Sequence, residues 1–158
     1  GRTQRSQRQP FLDAFHEDPR RLARVWRGRD GPSRDDVVGA RRYGDLRIAS
    51  MRFHLVVDER AQAGAVYGFV TKDASKHLWA YTLYDSAARA CLLALDAPFK
   101  GHEVFYIVAP DTVMDMPSLE LAAQFFPHVP IRGDLDGNRA FFSSAKAERM
   151  LGWRHDAD

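Results

Sequence analysis

The sequence predicts an α/β fold with a parallel but incomplete sheet, and three observations lead there. Strand-like and helix-like segments alternate from Leu46 onward, the order that builds parallel sheets covered by helices. Only two strand-like segments are long, Leu46–Val57 and Glu103–Ala109, too few for a doubly wound sheet. The chain has 158 residues, 45% of them hydrophobic, which allows one domain with its own core.

Each element has a local reason. Leu46–Val57 (LRIASMRFHLVV) is dominated by strand formers and flanked by Gly44 and Asp58–Glu59, so it reads as a buried strand. Ala61–Val70 is ambiguous between helix and strand, and contains Gly64 and Gly68. Leu78–Leu83 alternates bulky and small residues and reads as a short strand. Asp85 stands as N-cap for a helix over Ser86–Ala97, which Pro98 stops. Glu103–Ala109 is the second clear strand. Asp115 is placed to cap a helix running to about Phe126, with Pro117 in its first turn and Glu120 favourable to the dipole. Val129–Arg132 reads as a short extended piece. Ser143 or Ser144 caps a last helix, Ala145–Leu151, and Gly152 ends it in a C′ position.

Charge divides the chain. Residues 1–42 hold eleven Arg and six acidic residues, a net +5, whereas residues 43–158 hold twelve basic and fifteen acidic residues, a net −3. The first segment is read as Arg-rich and irregular, with room for one helix near Pro19–Arg27, and residues 43–158 as the folded portion. Its six acidic residues and scarce aromatics argue against nucleic-acid binding. No apolar run is long enough to span a bilayer. A lone cysteine, Cys91, forms no internal disulfide and fits a reducing, cytoplasmic setting. It sits in an apolar stretch and reads as a buried filler. The six histidines are scattered without ligand spacing, so no metal site is expected.

Four blocks together resemble the NAD-dependent epimerase/dehydratase family, the extended short-chain dehydrogenases/reductases. Arg47–Val57 (RIASMRFHLVV) is similar to the family strand Leu-Arg-x-x-Asn-Val-Tyr-Gly-Pro. Leu78–Ala90 (LWAYTLYDSAARA) is similar to the segment Tyr-Val-x-Val-x-Asp-Val-Ala. Gly101–Ala109 (GHEVFYIVA), with Thr112 after it, is similar to the late strand and its turn. Ser144–Trp153 (SAKAERMLGW) is similar to the ending Ser/Asp-x-x-Lys-Ala-x-x-x-Leu-Gly-Trp. The nearest flavour is the uronate-dehydrogenase-like branch.

The resemblance implies a partial, Rossmann-like three-layer sandwich, the C-terminal half of such a fold with an incomplete parallel sheet. It implies NAD or NADP in intact relatives, contacted from Phe53, His54, Leu55 and Val56. It implies a small sugar-like substrate walled by Trp79 and Tyr81. The plain readings stand beside these. His54 reads as a packed histidine, Trp79 and Tyr81 as core or pocket wall, Phe125 and Phe126 as core. Lys146 and Trp153 read as closing the terminal helix onto the sheet.

The chemistry of the family is missing. Pyrophosphate binding needs a Gly-rich turn between strand and helix, and Gly28, Gly31, Gly64 and Gly68 match no such turn. Proton transfer needs a Tyr with a Lys four residues on, a cation that biases the phenol toward phenolate. No Tyr-x-x-x-Lys occurs; the nearest pair, Tyr43 and Arg47, leads into a strand. The family's Asn aligns with Leu55 and its Gly-Pro with Asp58–Glu59. The expectation is a truncated relative with no turnover as an isolated chain. The alternative is a non-catalytic interaction module, a second copy or partner chain completing the sheet at its open edge.

Overall fold

A computed structural model of the protein describes residues 38–39, 42–43, 46–67 and 75–155. The reading of the Arg-rich segment falls almost wholly outside them, and the helix placed near Pro19–Arg27 does so entirely. So do Gly68, Phe69 and Val70 of the ambiguous stretch.

The described residues form a mixed α/β structure with four helices and two small parallel sheets. β1 (Arg47–Phe53) and β2 (Val56–Val57) come first, then α1 (Arg60–Tyr67), β3 (Thr82–Leu83) and α2 (Tyr84–Asp96). β4 (Gly101–Ile107), α3 (Ser118–Phe125) and α4 (Ala145–Leu151) complete the order. β1 pairs in parallel with β4, from Arg47 opposite Gly101 to Phe53 opposite Ile107. β2 pairs in parallel with β3, Val56 opposite Thr82 and Val57 opposite Leu83. Parallel strands require a crossover, and α2 lies within the one that joins β1 to β4.

The expected strand Leu46–Val57 is therefore two strands that serve two sheets. His54 and Leu55 separate them, and Leu55 has a φ of 27°. That backbone is sparsely populated for a branched side chain, and it re-aims the chain from one pairing to the other.

One face of β1–β4 meets helices. Ala49, Met51, Phe105 and Ile107 pack on Ala90 and Ala94 of α2 and on Ala147 and Leu151 of α4. Small residues on α2 let the helix approach the sheet closely, and Trp153 and Phe99 fill the remaining space. The opposite face of the pair carries polar cross-strand contacts. Ser50 Oγ lies 2.8 Å from His102 Nε2, and Arg52 Nη1 donates to Tyr106 Oη at 2.8 Å. A second core surrounds β2 and β3, built from Val57, Tyr67, Trp79, Tyr81, Val113 and Leu121.

Several local expectations are corrected. Leu78–Leu83 is a strand only at Thr82–Leu83. Leu78 and Trp79 lie in a turn with φ of 51° and 50°, which turns the indole fully into the second core. Asp85 is not a cap: α2 starts at Tyr84 directly from β3, with Leu83 at the N-cap and no side-chain cap bond. Asp115 is not a cap either. α3 begins at Ser118, where the Pro117 carbonyl accepts the Glu120 and Leu121 amides, and Asp115 lies 3.9 Å from Arg60 Nη2 instead. Val129–Arg132 pairs with nothing among the described strands; Pro127 and Pro130 each remove a ladder donor there.

The ends of the last helix are closer to expectation. Ser144 occupies the N-cap of α4 without a side-chain cap bond. Its Oγ is engaged instead at the end of β4, donating to the Val108 carbonyl at 3.1 Å. Ser143 Oγ accepts the Ala145 amide at 3.3 Å. Gly152 adopts the left-handed C-cap read from the sequence, with φ 68°, a conformation that costs glycine nothing. Lys146 Nζ meets Glu103 Oε2 at 2.6 Å, so it does tie the terminal helix to β4.

Candidate functional site: a cleft at the end of β4

Beyond the carboxyl end of β4 the chain opens a cavity of about 860 Å³. Val108, Ala109 and Pro110 form its floor as the strand ends. The loop from Arg132 to Ser144 and the tail Trp153–His155 form its walls. Ligands of parallel α/β units bind outside the carboxyl ends of the strands, and this cleft is in that position.

Its polar lining is mixed. Arg139 pairs with Asp134 at 2.6 Å and Arg154 with Glu148 at 2.7 Å. All four side chains are about half exposed or more, so these pairs contribute little stability and are open to exchange for a ligand's charge. Arg132 stands exposed at the rim. Gly133 and Gly137, with φ of 107° and 59°, let the loop carry Arg132, Asp134 and Arg139 around a tight path.

None of the six candidate contact residues, Phe53, His54, Leu55, Val56, Trp79 and Tyr81, lines this cavity. Phe53 packs against the first core and Leu55 against the second, while Val56 is held in its pairing with Thr82. His54 stacks on Phe142 with ring centroids 4.3 Å apart. Trp79 is fully buried beside Phe125 at 5.2 Å and Phe141 at 5.9 Å. Tyr81 donates its hydroxyl to Asp111 Oδ1 at 2.9 Å and meets the His155 ring edge-on at 5.6 Å. Phe141, Phe142 and His155 do line the cavity. The structure thus places His54, Trp79 and Tyr81 directly behind the wall rather than on it.

No protein-family model, curated protein or solved structure matches the chain.

The residues that reasoning from sequence missed are Arg132, Asp134, Arg139, Phe141, Phe142, Arg154 and His155. One signal could have found the first three. Ile131–Arg139 is a glycine-punctuated, charged loop between recognisable elements, the composition in which binding residues concentrate.

The pyrophosphate of a dinucleotide needs glycines where a strand turns into a helix. Among the described residues, the direct passage from Thr82–Leu83 into Tyr84 has no glycine and carries Asp85 in the first turn of α2. The amide of Leu83 is already bonded to His155 Nε2 at 3.2 Å. Among the described residues no group of three or more His, Cys, Asp or Glu could hold a metal ion, and no helix is long and apolar enough to cross a membrane.

Burial holds the His54 imidazole below its ordinary pKa of 6.5, and the nearby charge of His77 adds to the effect. A histidine kept neutral by folding binds fewer protons in the native state than in the unfolded one. Its contribution to stability is full above pH 6.5 and is lost as pH falls below that value toward the depressed native pKa. Denaturant midpoints of the wild type are therefore expected to fall between pH 7.5 and pH 5.5 by more than those of His54→Phe. Equal slopes for the two proteins would show that His54 does not titrate against its burial.

Proposed function

We propose that the chain corresponds to the substrate-side half of an NAD(P)-dependent epimerase/dehydratase-like, Rossmann-type fold, and that its cavity takes a small sugar-like ligand. It carries no turnover by itself. The observation that carries this reading is the position of the cleft, at the carboxyl end of a β4 strand paired in parallel with β1. The four sequence blocks add support, since they fall on β1–β2, on β3 with the start of α2, on β4, and on α4 with Trp153. Three arginines against two acids around the cleft favour an acidic sugar over a neutral one.

Chemistry on such a ligand has no agent here. Residues 1–158 contain neither the glycine turn for a dinucleotide nor a Tyr-x-x-x-Lys pair. Tyr43 is 60% exposed, away from the cleft residues named above, and Tyr81 spends its hydroxyl proton on Asp111. Any NAD or NADP chemistry would require groups that residues 1–158 do not supply. The two-stranded sheets favour a second chain, since each described strand has a single partner and a further strand from a second copy or another protein would complete them. The lone buried Cys91 suits a cytoplasmic setting for this assembly.

Calorimetry with galacturonate and glucuronate tests the reading, alongside an absorbance assay at 340 nm with NAD and NADP. Weak sugar-acid binding without dinucleotide binding or turnover is expected. A measurable NAD(P)-dependent rate from the purified chain would overturn it.

A further inference from the structure

We propose that Arg89 is a positioning residue for the cleft: it fastens the tail Trp153–His155 to α2 and thereby sets the wall that Arg154 and His155 present to a ligand. The inference rests on reading the cleft as the binding site.

Trp153–His155 follow α4 as irregular chain, so their carbonyls have no ladder to join. Such groups need partners when they are taken from water. α2 supplies them. Arg89 Nη2 lies 2.5 Å from the Arg154 carbonyl and 2.9 Å from the His155 carbonyl. Ser86 Oγ donates to the same His155 carbonyl. Trp153 Nε1 donates to the Ser86 carbonyl at 2.9 Å, and His155 Nε2 accepts the Leu83 amide. Leu83, at the N-cap of α2, and Ser86 and Arg89 in its first two turns follow one another three residues apart, the spacing of one helix face.

Arg89 is the charged member of this dock, and charge-assisted bonds are roughly twice as strong as neutral ones. Its Nε is buried with no hydrogen-bond partner. Leaving a guanidinium edge dry is costly, and the two tail carbonyls are what the side chain gains in return. Arg89 itself does not line the cleft, whereas Trp153, Arg154 and His155 all do. Its influence on a ligand therefore runs through the tail.

The test compares wild type, Arg89→Met and Arg89→Lys by hydrogen exchange and by calorimetry with galacturonate and galactose. Methionine keeps the alkyl packing and removes the donors. In Arg89→Met, exchange of the peptide covering residues 152–155 is expected to rise while the β1 and β4 amides keep their protection. The preference for galacturonate over galactose should drop roughly tenfold, because Arg154 is no longer held in place, and Arg89→Lys should recover part of both effects. Should Arg89→Met fail to fold, Arg89→Lys against wild type carries the same comparison. Unchanged tail exchange, or a loosened tail with unchanged sugar preference, overturns the role of Arg89. Absence of galacturonate binding by the wild type is a different failure: it removes the reading of the cleft, and the positioning role goes with it.

Discussion

Trp153→Ala is expected to destabilise the protein by about 3–5 kcal/mol, the cost of emptying a large aromatic site in a packed core. Trp153 is 1% exposed and sits among Met51, Ala90, Phe105 and Leu151, where β1, β4, α2 and α4 meet. A loss of that size is a large share of the roughly 5–15 kcal/mol that holds an ordinary domain together. Urea unfolding followed by circular dichroism measures it. Trp153→Phe separates the two contributions, since it keeps most of the ring and drops the indole N–H. The Ser86 carbonyl, which lies inside α2, then loses the indole donor at 2.9 Å, a cost of about 0.5–1.5 kcal/mol. An alanine variant within 1 kcal/mol of wild type would mean that the tail does not close the core as described.

Arg47→Met is expected to cost about 2–3 kcal/mol, because it removes charge-assisted bonds to carbonyls at a helix end. Arg47 Nη2 donates to the Leu95 carbonyl at 3.0 Å and Nη1 to the Ala97 carbonyl. Both acceptors lie at the C-terminus of α2, where carbonyls lack helical partners and a cation opposes the helix dipole. The guanidinium also lies 5.9 Å from the Phe99 ring centroid. Arg47→Lys should recover roughly half of the loss, since one ammonium cannot serve both carbonyls with the same planar fork. Thermal unfolding checks the order wild type, Lys, Met. A methionine variant as stable as wild type would mean that Arg47 does not hold the end of α2. The guanidinium thus ties the start of β1 to the end of α2.

What the sequence made legible follows from pattern strength. β4 stands out because strand formers run unbroken through Val104–Val108, and β1 by Ile48, Phe53 and the apolar run that continues to Val57. α2 and α4 stand out through their alanines, leucines and terminal breakers, Pro98 and Gly152. The Leu55 kink was not legible, because a left-handed leucine is dictated by where Val56 must pair rather than by local preference. The same holds for Leu78 and Trp79, whose alternation imitates a strand while the buried indole demands a turn. Asp85 and Asp115 looked like caps because aspartate favours that position. Tertiary contacts fill it instead: the His155 ring accepts the Leu83 amide at α2, and the Gly137 carbonyl accepts the Ser118 amide at α3. The cleft was hidden for a related reason. Its lining comes from the end of β4, a distant loop and the tail, and only folding brings those three together.

The division of one extended stretch between two pairings also gives the chain two loops of unequal cost. The loop that brings Val56 to Thr82 is roughly half as long as the one that brings Arg47 to Gly101. Doubling a loop adds about 0.6 kcal/mol of closure entropy. With β2 and β3 joined, the chain on either side of them is tethered, and the larger ring has a smaller volume to search.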